Sequence, residues 1–250
     1  MKKIFLLIFT IFSSLFSSNY SMSAEYDVSY GVLGNVGIAN ASYSIEKSTY
    51  KILIKAKATG LAKLVSRGRV ETYESIGIVK DGVLVPQIFL VKKKRGSKVD
   101  TKRYMFDYKK HQITLLESKK REDSSNEKQQ ILPFFTHNDI LSLFFNLKNI
   151  IGEKLITKEE IELIAVGASK KDGKLNLHSL KDKEYKMVSK LLGREEHIIS
   201  LVLNQKIFSS QKGEMFLNLN DDGICTSAVL KDVIMFGDIK GVIKKLKVDR

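Results

Sequence analysis

Apolar and polar residues alternate through most of residues 26–91, and this pattern predicts β-strands. In residues 37–46, one set of alternate side chains is small or apolar and the other is mostly polar; residues 50–59 repeat the pattern. Because successive side chains of a strand point to opposite faces, each run has one dry face and one mostly wet face. The short polar segment Lys47-Ser48-Thr49 between the two runs predicts a hairpin turn.

A second hairpin is predicted in residues 70–91. Its first strand, residues 70–79, is followed by Asp81-Gly82, a pair that tolerates the positive φ angles of a tight hairpin turn. Residues 83–91 then form the return strand. Pro86 donates no hydrogen bond to a neighbouring strand, so we expect this strand at a sheet edge or with a bulge at Pro86.

Alternation continues toward the end of the chain, with two weaker stretches. Residues 103–106 and 111–116 predict another hairpin, whereas the charged and polar residues 119–130 predict a loop. Residues 158–166 fit either a helical turn or a strand. The remaining alternating or apolar runs, which predict the last strands, are 175–177, 185–187, 199–203, 215–219, 224–235 and 241–248.

One helix is predicted, from about residue 137 to residue 150. Thr136 followed by Asp139 has the spacing of a capping box at a helix start. Apolar residues then recur at helical spacing, so the helix should pack onto the sheet or plug one end of it. The predicted fold class is therefore mainly β: a single antiparallel domain, residues 25–250, that forms a curved sheet, a sandwich or an open barrel with one inserted α-helix.

The first 24 residues have the order of a secretory signal peptide. Two lysines precede an apolar run, residues 4–16, and a segment rich in small residues, residues 17–24, follows it and contains the expected cleavage site. Cleavage is expected after Ala24 or, alternatively, after Ser23. Because the apolar run is shorter than the roughly 20 residues that span a bilayer, we expect the mature protein in the periplasm and not as an integral membrane protein.

The chain is basic, with 42 lysine and arginine residues against 28 acidic residues and a formal net charge of +14. A basic exported protein could favour anionic lipid, acidic polysaccharide or nucleic acid. Lysine is spread along the chain, however, and the densest runs, residues 92–95 and 119–121, lie in or beside predicted loops. This distribution is typical of a surface solvated by lysine, and no nucleic-acid partner is predicted.

The sequence lacks the spacing of a catalytic, metal or cofactor site. The histidines, His111, His137, His178 and His197, show neither HxH nor HExxH spacing, so no metal is predicted. Cys225 is the single cysteine; it excludes an intramolecular disulfide and is expected to be half-buried and structural. The chain has no Gly-x-Ser-x-Gly motif. We therefore predict no catalytic residue, no cofactor and no enzymatic activity.

Two candidate catalytic pairs contain acidic residues, and the sequence favours neither. Glu71, Glu74 and Asp107 could form a glycosidase-like pair only if the fold brought two of them into one cleft. Asp139 and Ser142 could suggest a catalytic pair, but Asp139 occupies a position where a helix start needs a capping side chain.

The order of short motifs along the chain resembles an exported bacterial family known as domain of unknown function 3108. The residues that carry the resemblance are Tyr26-Asp27-Val28-Ser29-Tyr30, Gly34, Gly37, Tyr50, Thr59-Gly60, Glu74-Ser75-Ile76-Gly77, Asp81-Gly82, Pro86, Phe106-Asp107 and Asp139-Ile140-Leu141-Ser142. The resemblance covers essentially the whole mature chain. It implies an exported, mainly antiparallel β fold and no particular activity.

Aromatic side chains are plentiful, although tryptophan is absent. Most are expected to fill the core, but a curved sheet of this size can enclose a ligand. The side chains that we assign to such a cavity or to its lid are Tyr43, Tyr50, Tyr73, Phe144 and Phe145.

The predicted function is a non-enzymatic binding module of the cell envelope that holds an apolar or amphipathic molecule, such as a lipid, in its concave sheet. The alternative is an envelope scaffold that binds a protein partner through an edge strand, either the strand with Pro86 or the terminal strand. A third and less favoured hypothesis is a hydrolase whose site is assembled from dispersed residues.

Overall fold

The computed structural model describes residues 20–151, 160–169, 171–193, 197–203, 213–221, 223–233 and 237–249. The strands of the N-terminal half are β1 (Tyr20–Tyr30), β2 (Asn35–Glu46), β3 (Thr49–Ala58), β4 (Val70–Lys80), β5 (Val83–Arg95), β6 (Lys98–Asp107), β7 (Gln112–Lys120) and β8 (Ser125–Ile131). Those of the C-terminal half are β9 (Glu160–Ile164), β10 (Lys174–His178), β11 (His197–Leu203), β12 (Glu214–Leu219), β13 (Cys225–Val233) and β14 (Gly237–Asp249). The helices are α1 (Gly60–Val65), α2 (Ile140–Ile151) and α3 (Asp182–Leu192), with a 3-10 turn at Gly31–Leu33.

The fourteen strands of the described residues belong to one antiparallel sheet. Within each half, strands that follow one another in sequence are neighbours in the sheet, and β1 pairs with β14 to join the halves. The sheet is curved and open, which confirms the predicted fold class, and its edges are β8 and β9. The expectation of an open edge at the strand with Pro86 or at the terminal strand is wrong, because β5 and β14 both have neighbours on two sides.

The three predicted hairpins are confirmed as β2–β3, β4–β5 and β6–β7, and the turns of the first two adopt the left-handed backbone that tight hairpins need. Lys47 and Ser48 have φ angles of 48° and 76°, and Asp81 and Gly82 have φ angles of 52° and 75°. These signs match the turns whose twist suits the adjoining strands.

Pro86 lies in an interior strand and is accommodated by a bulge, one of the two predicted alternatives. Ile76 pairs with Ile88 while Gly77 pairs with Pro86, so β5 carries one extra residue there. A Cβ atom on Gly77 would lie 2.0 Å from the carbonyl oxygen of Val85. Only glycine therefore fits opposite the bulge.

The predicted apolar helix, α2, packs onto both halves of the sheet. Leu143 and Leu147 pack in a cluster with buried leucine and isoleucine side chains of β10, β11 and β12. Leu141 packs in a second cluster with buried side chains of β3, β5, β6 and β7, among them Tyr50 and Phe89. The helix thus connects two cores that lie on different parts of the same sheet.

The capping box of α2 lies three residues later than predicted. Oδ1 of Asp139 accepts hydrogen bonds from the backbone N–H groups of Leu141 and Ser142 at 2.8 and 2.9 Å, and Oγ of Ser142 accepts from the N–H of Asp139 at 3.0 Å. The reciprocal pair is therefore Asp139 and Ser142. Thr136 instead donates its hydroxyl to the carbonyl of Ile164 at 2.7 Å and helps join the segment after β8 to the end of β9.

Two helices lie where the sequence predicts none. The strand predicted at residues 185–187 is wrong, because this segment belongs to α3, whose Val188 and Leu192 pack one turn apart against Phe216 and Val229. α3 covers the face of the C-terminal half opposite to α2. The short helix α1 connects β3 and β4.

The loop predicted at residues 119–130 is also wrong, since the segment contains the end of β7 and most of β8. Ser118 pairs with Glu127, and Leu116 with Gln129. Residues 125–129 are exposed because β8 is an edge strand with no buried face. A strand of this kind carries no apolar alternation. The ambiguous residues 158–166 contain β9.

The predicted signal peptide overlaps the first strand. Residues 1–19 lie outside the described residues, whereas residues 20–24 belong to β1, where Met22 and Ala24 are buried. Cleavage after Ala24 would remove the first five residues of β1, and this cleavage stays a prediction. Within the described residues, no helix combines the length and apolarity needed to cross a bilayer.

Candidate ligand-binding groove

Four of the five aromatic residues that we assigned to a cavity or lid lie in one cluster. Tyr50 is fully buried, and Tyr43, Tyr73 and Phe145 pack against the same core. The rings of Tyr43 and Phe145 have centroids 4.5 Å apart. Phe144 packs against the other core, with its centroid 5.8 Å from that of Phe145. Contact of these five side chains with a ligand stays a prediction.

A buried polar cluster anchors α2 to the sheet. The hydroxyl of Tyr50 donates to Oγ of Ser75 at 2.9 Å, and Ser75 donates to Oδ2 of Asp139 at 2.6 Å. Burial raises the pKa of Asp139 to about 6, although hydrogen bonds from Ser75, Ser142 and Leu141 act in the opposite direction. All these polar side chains are buried, so the cluster holds the helix in place and presents no surface to a substrate.

A second buried carboxylate lies on β4. Glu71 forms ion pairs with Arg69 and Lys93 and accepts a hydrogen bond from the hydroxyl of Tyr73. Burial raises the pKa of Glu71, but the hydrogen bond from Tyr73 and the charges of Lys93 and Arg69 outweigh burial and lower it. The negative charge of Glu71 is thus compensated by Arg69 and Lys93, which indicates a structural role for this residue.

The fold does not bring the candidate glycosidase carboxylates together. Glu71 and Glu74 are separated by an odd number of positions on β4 and therefore face opposite sides of the sheet. Glu74 pairs with Lys51 at 2.7 Å. Asp107 accepts hydrogen bonds from the backbone N–H groups of the next turn.

The four histidines lie at three places. His111 and His137 both contact the ring of Phe135, whereas His178 lies beside Glu160 and His197 lies beside Asp221. In the part of the chain that the structure describes, no group of three or more His, Cys, Asp or Glu side chains could hold a metal ion.

Cys225 is partly buried, and its thiol donates to the carbonyl of Ser227 at 3.3 Å. Burial raises the pKa of the Cys225 thiol to about 12. A thiol that stays protonated at neutral pH is a poor nucleophile.

An open groove of about 590 Å³ runs along α3, beside β12 and β13. Its apolar lining consists of Met187, Val188, Leu191 and Phe216. Val188 and Phe216 belong to the core beneath the helix and form a fixed floor, whereas Met187 is 64% exposed. The groove therefore offers apolar surface that a ligand can reach.

Lysines dominate the polar lining of the groove. Lys183, Lys186 and Lys190 recur every three or four residues, so they follow one side of α3. Lys231 lies on β13 and forms an ion pair with Asp238 at 3.2 Å. Only two glutamates, on α3 and β12, accompany these four lysines. The lining thus combines an apolar floor with a positive rim, a chemistry suited to an anionic amphiphile.

The groove was not predicted from the sequence because α3, which forms one side of it, was not predicted. Local signals of the helix are present: acidic residues occupy its first turn, and Gly193 follows it with a φ angle of 73°. Tyr185 and Met187, two positions apart, instead suggested the alternating pattern of a strand. The groove also depends on Phe216, which only the sheet pairing brings beneath the helix.

Comparison with known proteins identifies a family. No curated protein sequence matches the chain. A family model described as protein of unknown function (DUF3108) matches residues 25–198, which begin where the predicted signal ends and include α1, α2 and α3. The match covers more than half of the chain, and the protein therefore belongs to the DUF3108 family.

Proposed function

We propose that the protein is an exported, non-enzymatic binding module whose groove along α3 holds an amphipathic molecule with an anionic head group. The observation that carries this proposal is the lining of the groove, where Lys183, Lys186 and Lys190 lie beside the apolar side chains of Met187 and Phe216. In this arrangement the floor contacts an apolar chain while the ammonium groups contact the head group.

The size and charge of the groove support such a ligand. Its volume of about 590 Å³ falls within the roughly 300–1,000 Å³ of small-molecule sites. A lysine near an anionic lipid surface contributes about 1 kcal/mol. Two lysines of the rim should therefore change affinity by about 25-fold, since each 1.4 kcal/mol is about tenfold.

Titration with a fluorescent fatty acid tests the groove directly. The double variant Lys186→Gln/Lys190→Gln should bind the probe about 25-fold more weakly than the wild type. The matched control Lys109→Gln/Lys110→Gln, in the exposed turn between β6 and β7, should bind like the wild type. Failure of the wild type to bind, or equal loss in both variants, would remove the groove as the ligand site.

Protein purified from its native envelope tests export and the ligand together. Intact-mass measurement should give a mature chain that begins after Ser23 or Ala24, and a chain that retains residues 1–16 would contradict export. Native mass spectrometry of the same sample should show an added amphiphile, which organic extraction removes.

An envelope scaffold that binds a protein partner is the second candidate. The strands available for pairing are β8 and β9, which form the edges of the sheet. β8 presents exposed Glu127 and Lys128, and charged residues on an edge strand oppose pairing with another chain. This feature favours the amphiphile over the scaffold. A stoichiometric protein partner in the native mass spectrum would favour the scaffold.

A further inference from the structure

Five large apolar side chains are exposed at one end of the sheet. Val32 and Leu33, in the turn between β1 and β2, are 91% and 53% exposed. Leu61, Leu64 and Val65, in α1, are 81%, 74% and 81% exposed. We call these five residues the apolar tip. Grouped exposed side chains of this kind mark an interaction surface more often than scattered ones do.

The two parts of the apolar tip lie side by side. Gly37, near the start of β2, pairs with Ala58, the last residue of β3. The backbone N–H of Thr59 then donates to the carbonyl of Val36 at 2.9 Å. The turn before β2 and the helix after β3 therefore project from the same end of adjacent strands.

A basic pocket adjoins the apolar tip. The pocket has a volume of about 370 Å³ and is lined by Val65, Arg67, Arg95 and Lys98. The backbone N–H of Gly96 donates to the carbonyl of Arg67 at 2.9 Å, which joins the β5–β6 turn to the segment after α1. Among the described residues, no carboxylate lies within 4.0 Å ion-pair distance of the cationic groups of Arg67, Arg95 or Lys98.

The two densest basic runs of the sequence also meet at this end. Lys94 pairs with Val70 at the start of β4, and Lys120 pairs with Val99 at the start of β6. Residues 92–95 and the two lysines that end β7 are exposed. The sheet thus brings the two basic runs to the same end as the apolar tip, on the side of the tip that faces β5, β6 and β7.

We propose that this end of the sheet docks on an anionic phospholipid membrane. The apolar tip enters the boundary between head groups and acyl chains, and the basic pocket and the two lysine-rich runs contact head-group phosphates. Exposed apolar side chains next to a positively charged surface are the combination that binds anionic lipid surfaces. The surface is separate from the groove along α3, so this inference does not depend on the proposed ligand.

Flotation with lipid vesicles tests the docking surface. The wild-type protein should float with vesicles that contain phosphatidylglycerol, but not with vesicles of phosphatidylcholine alone. Arg67→Gln/Lys98→Gln should lower the affinity by about 25-fold, equivalent to about 1 kcal/mol for each charge. Leu61→Ser/Leu64→Ser should abolish flotation, although both residues are too exposed for the change to unfold the protein.

Matched controls lie at the opposite end of the sheet. Ile131→Ser replaces an exposed apolar residue at the end of β8, and Lys109→Gln/Lys110→Gln removes two exposed charges from the β6–β7 turn. Both should float like the wild type. The proposal fails if the wild type does not bind anionic vesicles, or if the controls lose as much binding as the tip variants. It also fails if only the groove variant Lys186→Gln/Lys190→Gln loses binding.

Discussion

Replacing Asp139 with asparagine should remove a pH dependence of stability that originates at the start of α2. The carboxylate is fully buried and accepts hydrogen bonds from Ser75 Oγ and from the backbone N–H groups of Leu141 and Ser142. Among the described residues, no cation forms an ion pair with Asp139. Asparagine keeps the capping oxygen, and its amide can donate to Ser75 once the serine hydroxyl turns.

The size of the effect follows from the pKa of Asp139, which burial raises from 3.8 to about 6. A difference of about two pKa units between the folded and unfolded states corresponds to about 3 kcal/mol. Because the folded pKa is the higher one, the folded state binds the proton more tightly. The stability that this group contributes is therefore fully present below about pH 4 and is lost as the pH rises through about 6.

Urea unfolding of the wild type and the variant measures this contribution. Tyrosine fluorescence can follow the transition, since the chain has nine tyrosines and no tryptophan. Other groups titrate equally in both proteins, including Glu71, whose lowered pKa stabilises the fold above its unfolded pKa and loses that effect as the pH falls. Between about pH 4.5 and pH 7.5, the wild type should therefore lose about 2 kcal/mol of unfolding free energy relative to the asparagine variant.

A difference that stays constant across this range, within about 0.5 kcal/mol, would refute the reasoning. It would mean that Asp139 ionises equally easily in the folded and unfolded states, and hence that water or a cation reaches the start of α2. The size of such a constant difference would measure how much the substitution weakens the helix cap.

Two further predictions concern packing and thiol chemistry. Gly77→Ala should lower the free energy of unfolding by about 3 kcal/mol or more, because the new Cβ would meet backbone across the bulge. In the control Gly241→Ala, the new Cβ has no atom within 4 Å, and the free energy of unfolding should change by less than about 1 kcal/mol. Equal shifts of the melting temperature in the two variants would contradict the bulge geometry. Cys225 should react slowly with a disulfide reagent in the folded protein and quickly in urea, because burial raises the pKa of its thiol to about 12, and equal rates would place the thiol at the surface.

Local signals predicted most of the N-terminal half. The turns at Lys47-Ser48 and Asp81-Gly82 follow from residues next to each other in the chain. The missing N–H of Pro86 indicated either a sheet edge or a bulge, and the structure has the bulge. The existence of α2 follows from apolar spacing, but its first residue does not. Thr136 and Asp139 both suit a cap, and only the bond from Thr136 to the β9 segment decides between them.

Features that depend on distant pairing escaped the sequence. Neither face of β8 is apolar, so residues 125–131 have the sequence pattern of a loop, and only their pairing with β7 shows that they form a strand. The groove needs Phe216 beneath α3, and the basic end of the sheet needs Lys94 and Lys120 to project in the same direction. Sequence analysis identified both basic runs as charged surface, but it could not place them together.

The pairing of the first strand with the last one affects how the protein folds. Every other ladder between the described strands joins strands that follow one another in sequence, so each half can form through connections far shorter than the one that separates β1 from β14. β1 and β14 bring together residues such as Ser21 and Asp249, which are 228 positions apart. Closure of so long a loop is slow. A chain that emerges N-terminus first from a ribosome can therefore join the two halves of the sheet only after the thirteen residues of β14 are free.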